Sequence, residues 1–187
     1  MEKVVAPRLE LVPFKLEIVQ AAIVGNDELA RILGVKVPPN WLGEDIDLIQ
    51  VLPGIVNILY KYPLQKEWGW GHLVIHKGDN TLIGHITLKI IPDDQGSPTG
   101  SLEFGYIIVS SYRRQGYCTE ASKAMVNWAF SQPSVQTLTA GCDTDNIASK
   151  RILEKIGMQQ IETRGNVLVW KLDKNKSRGD KPLEMLI

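Results

Sequence analysis

A chain of 187 residues with 44% hydrophobic and 22% charged side chains has the proportions of a soluble globular protein with a sizeable core. Its 21 basic and 21 acidic residues cancel, which removes any global electrostatic reason to expect nucleic acid or an anionic membrane as partner. Two cysteines, Cys118 and Cys142, with no CxxC exclude a disulfide scaffold and fit a reducing cytoplasm, and no apolar run approaches the roughly 18 residues of a membrane helix.

"RLELVPF" (8–14) alternates like an edge strand ending at Pro13. "KLEIVQAAIVGNDELARIL" (15–33) has helical spacing, broken at "GND", with Asn26 or Asp27 expected to cap a second helix. "VKVPPNWL" reads as loop, and residues 44–63 as helix, kinked or divided at Pro53. The period then changes. Residues 68–77, 81–91 and 101–109 read as three strands, the first two joined by the tight turn "GDN". "TEASKAMVNWAFSQ" (119–132) is helical with an inner stripe of Ala121, Ala124, Met125, Trp128 and Ala129. A strand at 135–143, a helix at 146–157 closed by Gly157 and a hairpin around Arg164-Gly165-Asn166 complete the pattern. These elements predict a mixed α/β sheet with helices on both faces, in one domain over residues 1–173, followed by a charged, flexible tail at 174–187.

The stretch "YRRQGYCTEA" (112–121) joins a strand to a helix and carries the first chemistry. A helix N-terminus exposes backbone N–H groups and the positive end of the helix dipole, which together favour an anion. Gly116 lets a ligand approach the backbone, and Arg113 and Arg114 add charged donors. These features describe a phosphate cradle, or else an ordinary polar connection with arginines in water. Neither GxxxxGK[ST] nor a GxGxxG after a strand is present, so P-loop hydrolysis and Rossmann binding are poor candidates. Some 30 residues on, Asn146 opens a helix, where its amide caps the helix or reaches a ligand; Ser149 follows one turn later.

Arg113-x-x-Gly116-x-Cys118 resembles the pyrophosphate loop Q/R-x-x-G-x-G/A of the GCN5-related N-acetyltransferase (GNAT) superfamily. Asn146-x-x-Ser149, with Leu153 and Gly157-Met158, is similar to that superfamily's downstream N-x-x-[AS]-x-x-x-L-x-x-x-G-F helix. "RRQGYCTEA", "RILEKIGM" and the opening "PRLELVPF" look most like the ribosomal-protein N-terminal acetyltransferase (RimJ/RimL-like) branch, a resemblance covering about residues 6 to 173.

The resemblance implies a mostly antiparallel sheet with a splayed pair of parallel strands. It also implies an enzyme that moves acetyl from acetyl-CoA to a primary amine, either a protein N-terminus or a small molecule, without a metal. The pantetheine arm would lie along Ile107, Ile108 and Val109, backbone N–H groups of Arg114, Gln115, Gly116, Tyr117, Cys118 and Thr119 would take the pyrophosphate, and Asn146 would bind pantetheine. No nucleic acid or membrane partner is expected, and a monomer or homodimer is. A non-catalytic acyl-CoA sensor on the same fold is the alternative.

Two positions depart from the superfamily pattern. Cys118 replaces Gly or Ala, and is either a tolerated small side chain or a nucleophile. Leu153 stands where many members carry a tyrosine acid, which leaves Ser149 as the substitute acid or merely a partner of the helix backbone. Glu103, on the strand leading to the loop, is the candidate base if a part-buried cleft raises its pKa; a solvated strand residue is the other reading. His72, His76 and His85 are rivals for that role, and Trp41, Trp68 and Trp70 line an acceptor pocket or the core.

Overall fold

The structure is a computed structural model that describes residues 3–42 and 48–175. The start of the helix expected at 44–63 and the tail from residue 176 lie outside the described residues. Eight strands form one mixed, mostly antiparallel sheet in the order β1-β2-β3-β4-β5-β6-β8-β7. They are β1 (Val4–Val5), β2 (Leu9–Pro13), β3 (Gly71–His76), β4 (Thr81–Pro92), β5 (Pro98–Ile108), β6 (Thr137–Asp143), β7 (Gln159–Arg164) and β8 (Val167–Asp173). The parallel pair is β5 with β6, laddered from Ser101 opposite Thr137 to Glu103 opposite Thr139, and both strands run on past that ladder.

The chain divides into two compact units, one of residues up to Lys89 with Gly105–Met125, the other of Ile90–Phe104 with the residues from Val126 onward. In the first, α1 (Leu16–Val24), α2 (Asn26–Leu33), α3 (Leu48–Lys61) and α4 (Pro63–Trp68) accompany β1 to β3 and most of β4. β2 alternates buried Leu9, Leu11 and Pro13 with half-buried Glu10 and Val12, so its sequence period is the period of its packing. It is an inner strand, because the two-residue β1 pairs with its outer side. Gly25 breaks the first helical run as expected, but it is also the N-cap of α2. Asn26 instead accepts a 3.2 Å hydrogen bond from the indole Nε1 of Trp41. Pro53 lies inside α3 without ending it. Trp68 closes α4 rather than opening a strand, and β3 begins three residues later at Gly71.

In the second unit, α6 (Ile147–Lys155), β6 and the β7–β8 hairpin enclose Leu102, Leu138, Leu153, Trp170 and Leu172. Gly157, at φ +90°, follows α6, its N–H bonded to the Glu154 carbonyl and the Met158 N–H to that of Leu153. Lys174 donates its backbone N–H to Gln136 and its ammonium to the Gln132 carbonyl, each at 2.9 Å. α5 (Tyr117–Ser131) contributes to both units. Its buried face is Ala121, Ser122, Met125, Val126, Ala129 and Phe130, while Ala124 and Trp128 of the expected stripe are only half-buried.

Candidate active site

β5 ends at Ile108, and a single 3₁₀ turn, Ser110–Tyr112, carries the chain to the loop before α5. Two residues there take left-handed backbone angles, Arg114 at φ +60° and Gly116 at φ +84°, separated by Gln115, which does not. Alternation of this kind makes the peptide chain concave and turns N–H groups toward a common point, an arrangement that binds anions. For a residue with a Cβ the left-handed region costs about 1–2 kcal/mol, a cost borne at Arg114. The first N–H of α5 taken up by the turn before it is that of Glu120, which donates to the Gly116 carbonyl at 3.0 Å. Those of Tyr117, Cys118 and Thr119 precede the helix's own ladder, as helix geometry requires.

Side chains brace this loop from several elements. Arg113 Nε donates to the Ile108 carbonyl at 2.8 Å, tying the loop to the strand end. Arg114 and Gln115 are exposed, and Gln115 Nε2 donates to the Ser111 carbonyl at 3.2 Å. A residue that sequence reasoning passed over does more. Arg8, one residue before β2, donates from its backbone N–H to Glu120 Oε1 at 2.8 Å and from Nε to Glu120 Oε2 at 2.7 Å. Its Nη1 donates to the Gln115 carbonyl at 3.0 Å, and its guanidinium lies 4.2 Å from the centre of the Tyr117 ring. The Tyr117 hydroxyl is 3.1 Å from His76 Nε2, and His76 Nδ1 is 3.0 Å from Asp79 Oδ2. Asp79 Oδ2 accepts from the Tyr112 hydroxyl at 2.7 Å. That hydrogen bond, foremost, holds the Asp79 carboxyl below the usual carboxylate range, while burial, foremost, raises the Tyr112 phenol. "PRLEL" read as strand sequence alone shows its arginine only as an exposed end, which is why Arg8 escapes a one-dimensional reading.

Gly116 also acquires a more specific reason. A Cβ there would lie in ordinary contact with Arg8 Nη2, at 3.4 Å, so it is the positive φ that needs glycine. At the strand end, the Val109 N–H donates to the Ile83 carbonyl at 2.9 Å, and the Ile107 carbonyl packs so close to Gly84 that a Cβ there would stand 2.1 Å away. Ile107 and Val109 therefore turn their polar groups toward β4, and Ile108 turns its own to the opposite edge.

Asn146 is the N-cap of α6, its Oδ1 accepting the Ser149 N–H at 3.0 Å. The cap uses the oxygen and leaves the NH₂ end of the exposed amide for another partner. Ser149 is half-buried. Leu153 is fully packed in the core, which accounts for an apolar residue at the position where a tyrosine acid would stand. Glu103 sits on β5 in the parallel ladder with its side chain exposed, not in a part-buried position. Burial pushes the Cys118 thiol up to about 12. The fraction present as thiolate near neutral pH is negligible, which is the wrong direction for a nucleophile.

The remaining candidates separate cleanly. His72 and His85 are buried, and desolvation is the main cause holding them down to about 3 and about 4, so both are neutral imidazoles within the sheet. Trp41 is fully buried and packs edge-on against Phe14 with ring centres 5.8 Å apart, and Trp68 is buried as well, so both serve the core. Trp70 is half-buried, its N–H bonded to the Phe14 carbonyl. Among the described residues, no group of three His, Cys, Asp or Glu side chains is arranged to hold a metal ion, and no helix is long and apolar enough to cross a membrane.

The model of the GNAT acetyltransferase domain matches residues 8–159, spanning β2, the Arg114–Gly116 loop and α6. The chain belongs to this family. The N-acetyltransferase YjdG of Bacillus subtilis (strain 168), itself uncharacterized, is 32% identical over 151 residues, which cover 80% of this chain and 85% of that protein. A GNAT-family acetyltransferase from Bacillus anthracis superposes with a TM-score of 0.60 at 21% identity, over 93% of this chain and 99% of that one. A RimL ribosomal L7/L12 alpha-N-protein acetyltransferase in complex with coenzyme A has a TM-score of 0.58 at 15% identity, over 92% of this chain and 98% of its own. The fold and the family match thus agree with the GNAT motifs, and the protein belongs among the GNAT-family acetyltransferases.

Proposed function

We infer that this GNAT protein transfers acetyl from acetyl-CoA to a primary amine, a protein N-terminus or a small molecule, by direct attack of the amine. The observation that carries the reading is the loop ahead of α5 with Arg114 and Gly116 both at positive φ, followed by the N–H groups of Tyr117, Cys118 and Thr119 not yet engaged by the helix. A diphosphate fits such a donor set better than a single carboxylate does, because it offers more acceptor oxygens and more negative charge.

Acetyl-CoA supplies the thioester. The loop N–H groups and the exposed Arg113 and Arg114 bind its diphosphate; the backbone of Ile108, whose polar groups face away from β4, and the Asn146 amide hold the pantetheine. As the amine nitrogen forms its bond to the carbonyl carbon and the C–S bond breaks, the solvent-exposed Glu103 takes the amine's proton, directly or through water, and the Ser149 hydroxyl or a water on it protonates the departing thiolate, the hydroxyl regaining its proton from solvent. The Cys118 thiol, held protonated, takes no part.

The test is release of CoA thiol from acetyl-CoA with a panel of amines that includes peptides of varied N-terminal residue. Turnover with one class of acceptor is expected. CoA binding without turnover across the panel would indicate a sensor instead, and no CoA binding at all would overturn the reading.

A further inference from the structure

We propose that Arg8 is a positioning residue that latches the anion cradle open, acting through the Gln115–Gly116 peptide and through Glu120. The proposal rests on the acetyl-CoA reading and names the residue on which its diphosphate site depends.

The argument starts from one peptide bond. No cis peptide occurs among the described residues, so the Gln115 carbonyl and the Gly116 N–H point in opposite directions. Arg8 Nη1 holds that carbonyl at 3.0 Å, which aims the Gly116 N–H away from the guanidinium, as a donor for an anion. Gly116, on one side of this peptide, takes a left-handed angle with no Cβ to hinder rotation, and such a peptide can turn through a flip that exchanges carbonyl for N–H. A flipped unit would present an oxygen to the anion in place of a donor. Arg8 opposes that flip by binding the carbonyl in the donor-out state alone.

The second part is charge. Glu120 lies one turn into α5, beside the helix start that attracts anions, and its carboxylate would repel a diphosphate there. Arg8 takes both of its oxygens, from the backbone N–H at 2.8 Å and from Nε at 2.7 Å. The Tyr117 ring beneath the guanidinium, 4.2 Å from its centre to Arg8 Cζ, fixes the plane of the fork so that both acceptors are reached together. A lysine could supply the charge but not this two-sided geometry.

The test compares wild type, Arg8→Met and Arg8→Lys. Calorimetric titration with CoA and with inorganic pyrophosphate is paired with kcat/KM for acetyl-CoA and for S-acetylpantetheine, which has no diphosphate. Both variants should lose about tenfold in affinity for CoA and for pyrophosphate, the scale of one charge-assisted hydrogen bond. The ratio of kcat/KM for acetyl-CoA to that for S-acetylpantetheine should fall by the same factor, which a general loss of structure would not cause. Should Arg8→Met fail to fold, Arg8→Lys carries the same readings. Affinities within about twofold of wild type, an unchanged ratio, or full rescue by lysine would each overturn the latch. If wild type binds pyrophosphate but not CoA, the acetyl-CoA reading falls while the variants still decide the latch; a wild type that binds neither removes both.

Discussion

At the scale of single residues, Cys118 and Ser149 make opposite predictions. With its thiol at about 12, Cys118 carries no useful nucleophile, so Cys118→Ala should keep full turnover, and mass spectrometry of wild type after acetyl-CoA should find no acetyl on the thiol. An inactive, folded, CoA-binding Cys118→Ala protein would reverse this conclusion. Ser149→Ala should lower kcat while leaving CoA affinity nearly constant, because proton donation to the thiolate matters only in the transition state. Glu103→Gln should slow turnover about 10²-fold or more and remove the acidic limb of the pH–rate profile. Equal kcat in either variant would take that residue out of the chemistry.

At the scale of elements, the loop before α5 depends on backbone shape more than on side-chain identity. Gly116→Val would place a branched side chain at φ +84° and against Arg8 Nη2, 3.4 Å from the first added atom. The expected result is loss of CoA binding at a stability cost of about 1–3 kcal/mol, read by calorimetry and urea unfolding. Normal CoA affinity would mean the cradle lies elsewhere. α6 shows a different balance. Its Asn146 cap, the buried Leu153 and the Gly157 stop all follow from local sequence, and all three stand where the helical pattern puts them.

At the scale of the whole molecule, two linkage effects are expected. CoA at about 100 times its dissociation constant should stabilise the protein by about 2.7 kcal/mol if only the native state binds, and an unmoved Tm at millimolar CoA would contradict the proposed function. Acid should act in the opposite direction through His72 and His85. Their native pKa values, about 3 and about 4, lie below the unfolded value of about 6.5, so below that pH the unfolded chain binds protons that the native state excludes. The stability they contribute is complete above about pH 6.5 and declines as the pH falls toward 4 for His85 and toward 3 for His72, by about 2 kcal/mol for each histidine at pH 5. Urea unfolding at pH 7 and pH 5 measures this, and replacing His85 with glutamine should flatten the dependence. A dependence as steep in that variant would assign the acid sensitivity to other groups.

Sequence by itself determined what depends on short-range rules. β2, the β3–β4 turn, α6 and the β7–β8 hairpin are legible because side-chain period, turn residues and caps act within a few residues of chain. So is the Arg113–Thr119 loop as a strand-to-helix turn built around a glycine, since a helix start and a glycine are local features. Tertiary structure decided the rest. Ala124 and Trp128 lie only half-buried on α5, and Trp68 belongs to a helix, because burial follows from what each face meets rather than from spacing. Arg8 and Glu120, 112 residues apart in sequence, meet only through the fold, and no local pattern could announce a contact whose two halves have nothing but their final positions in common.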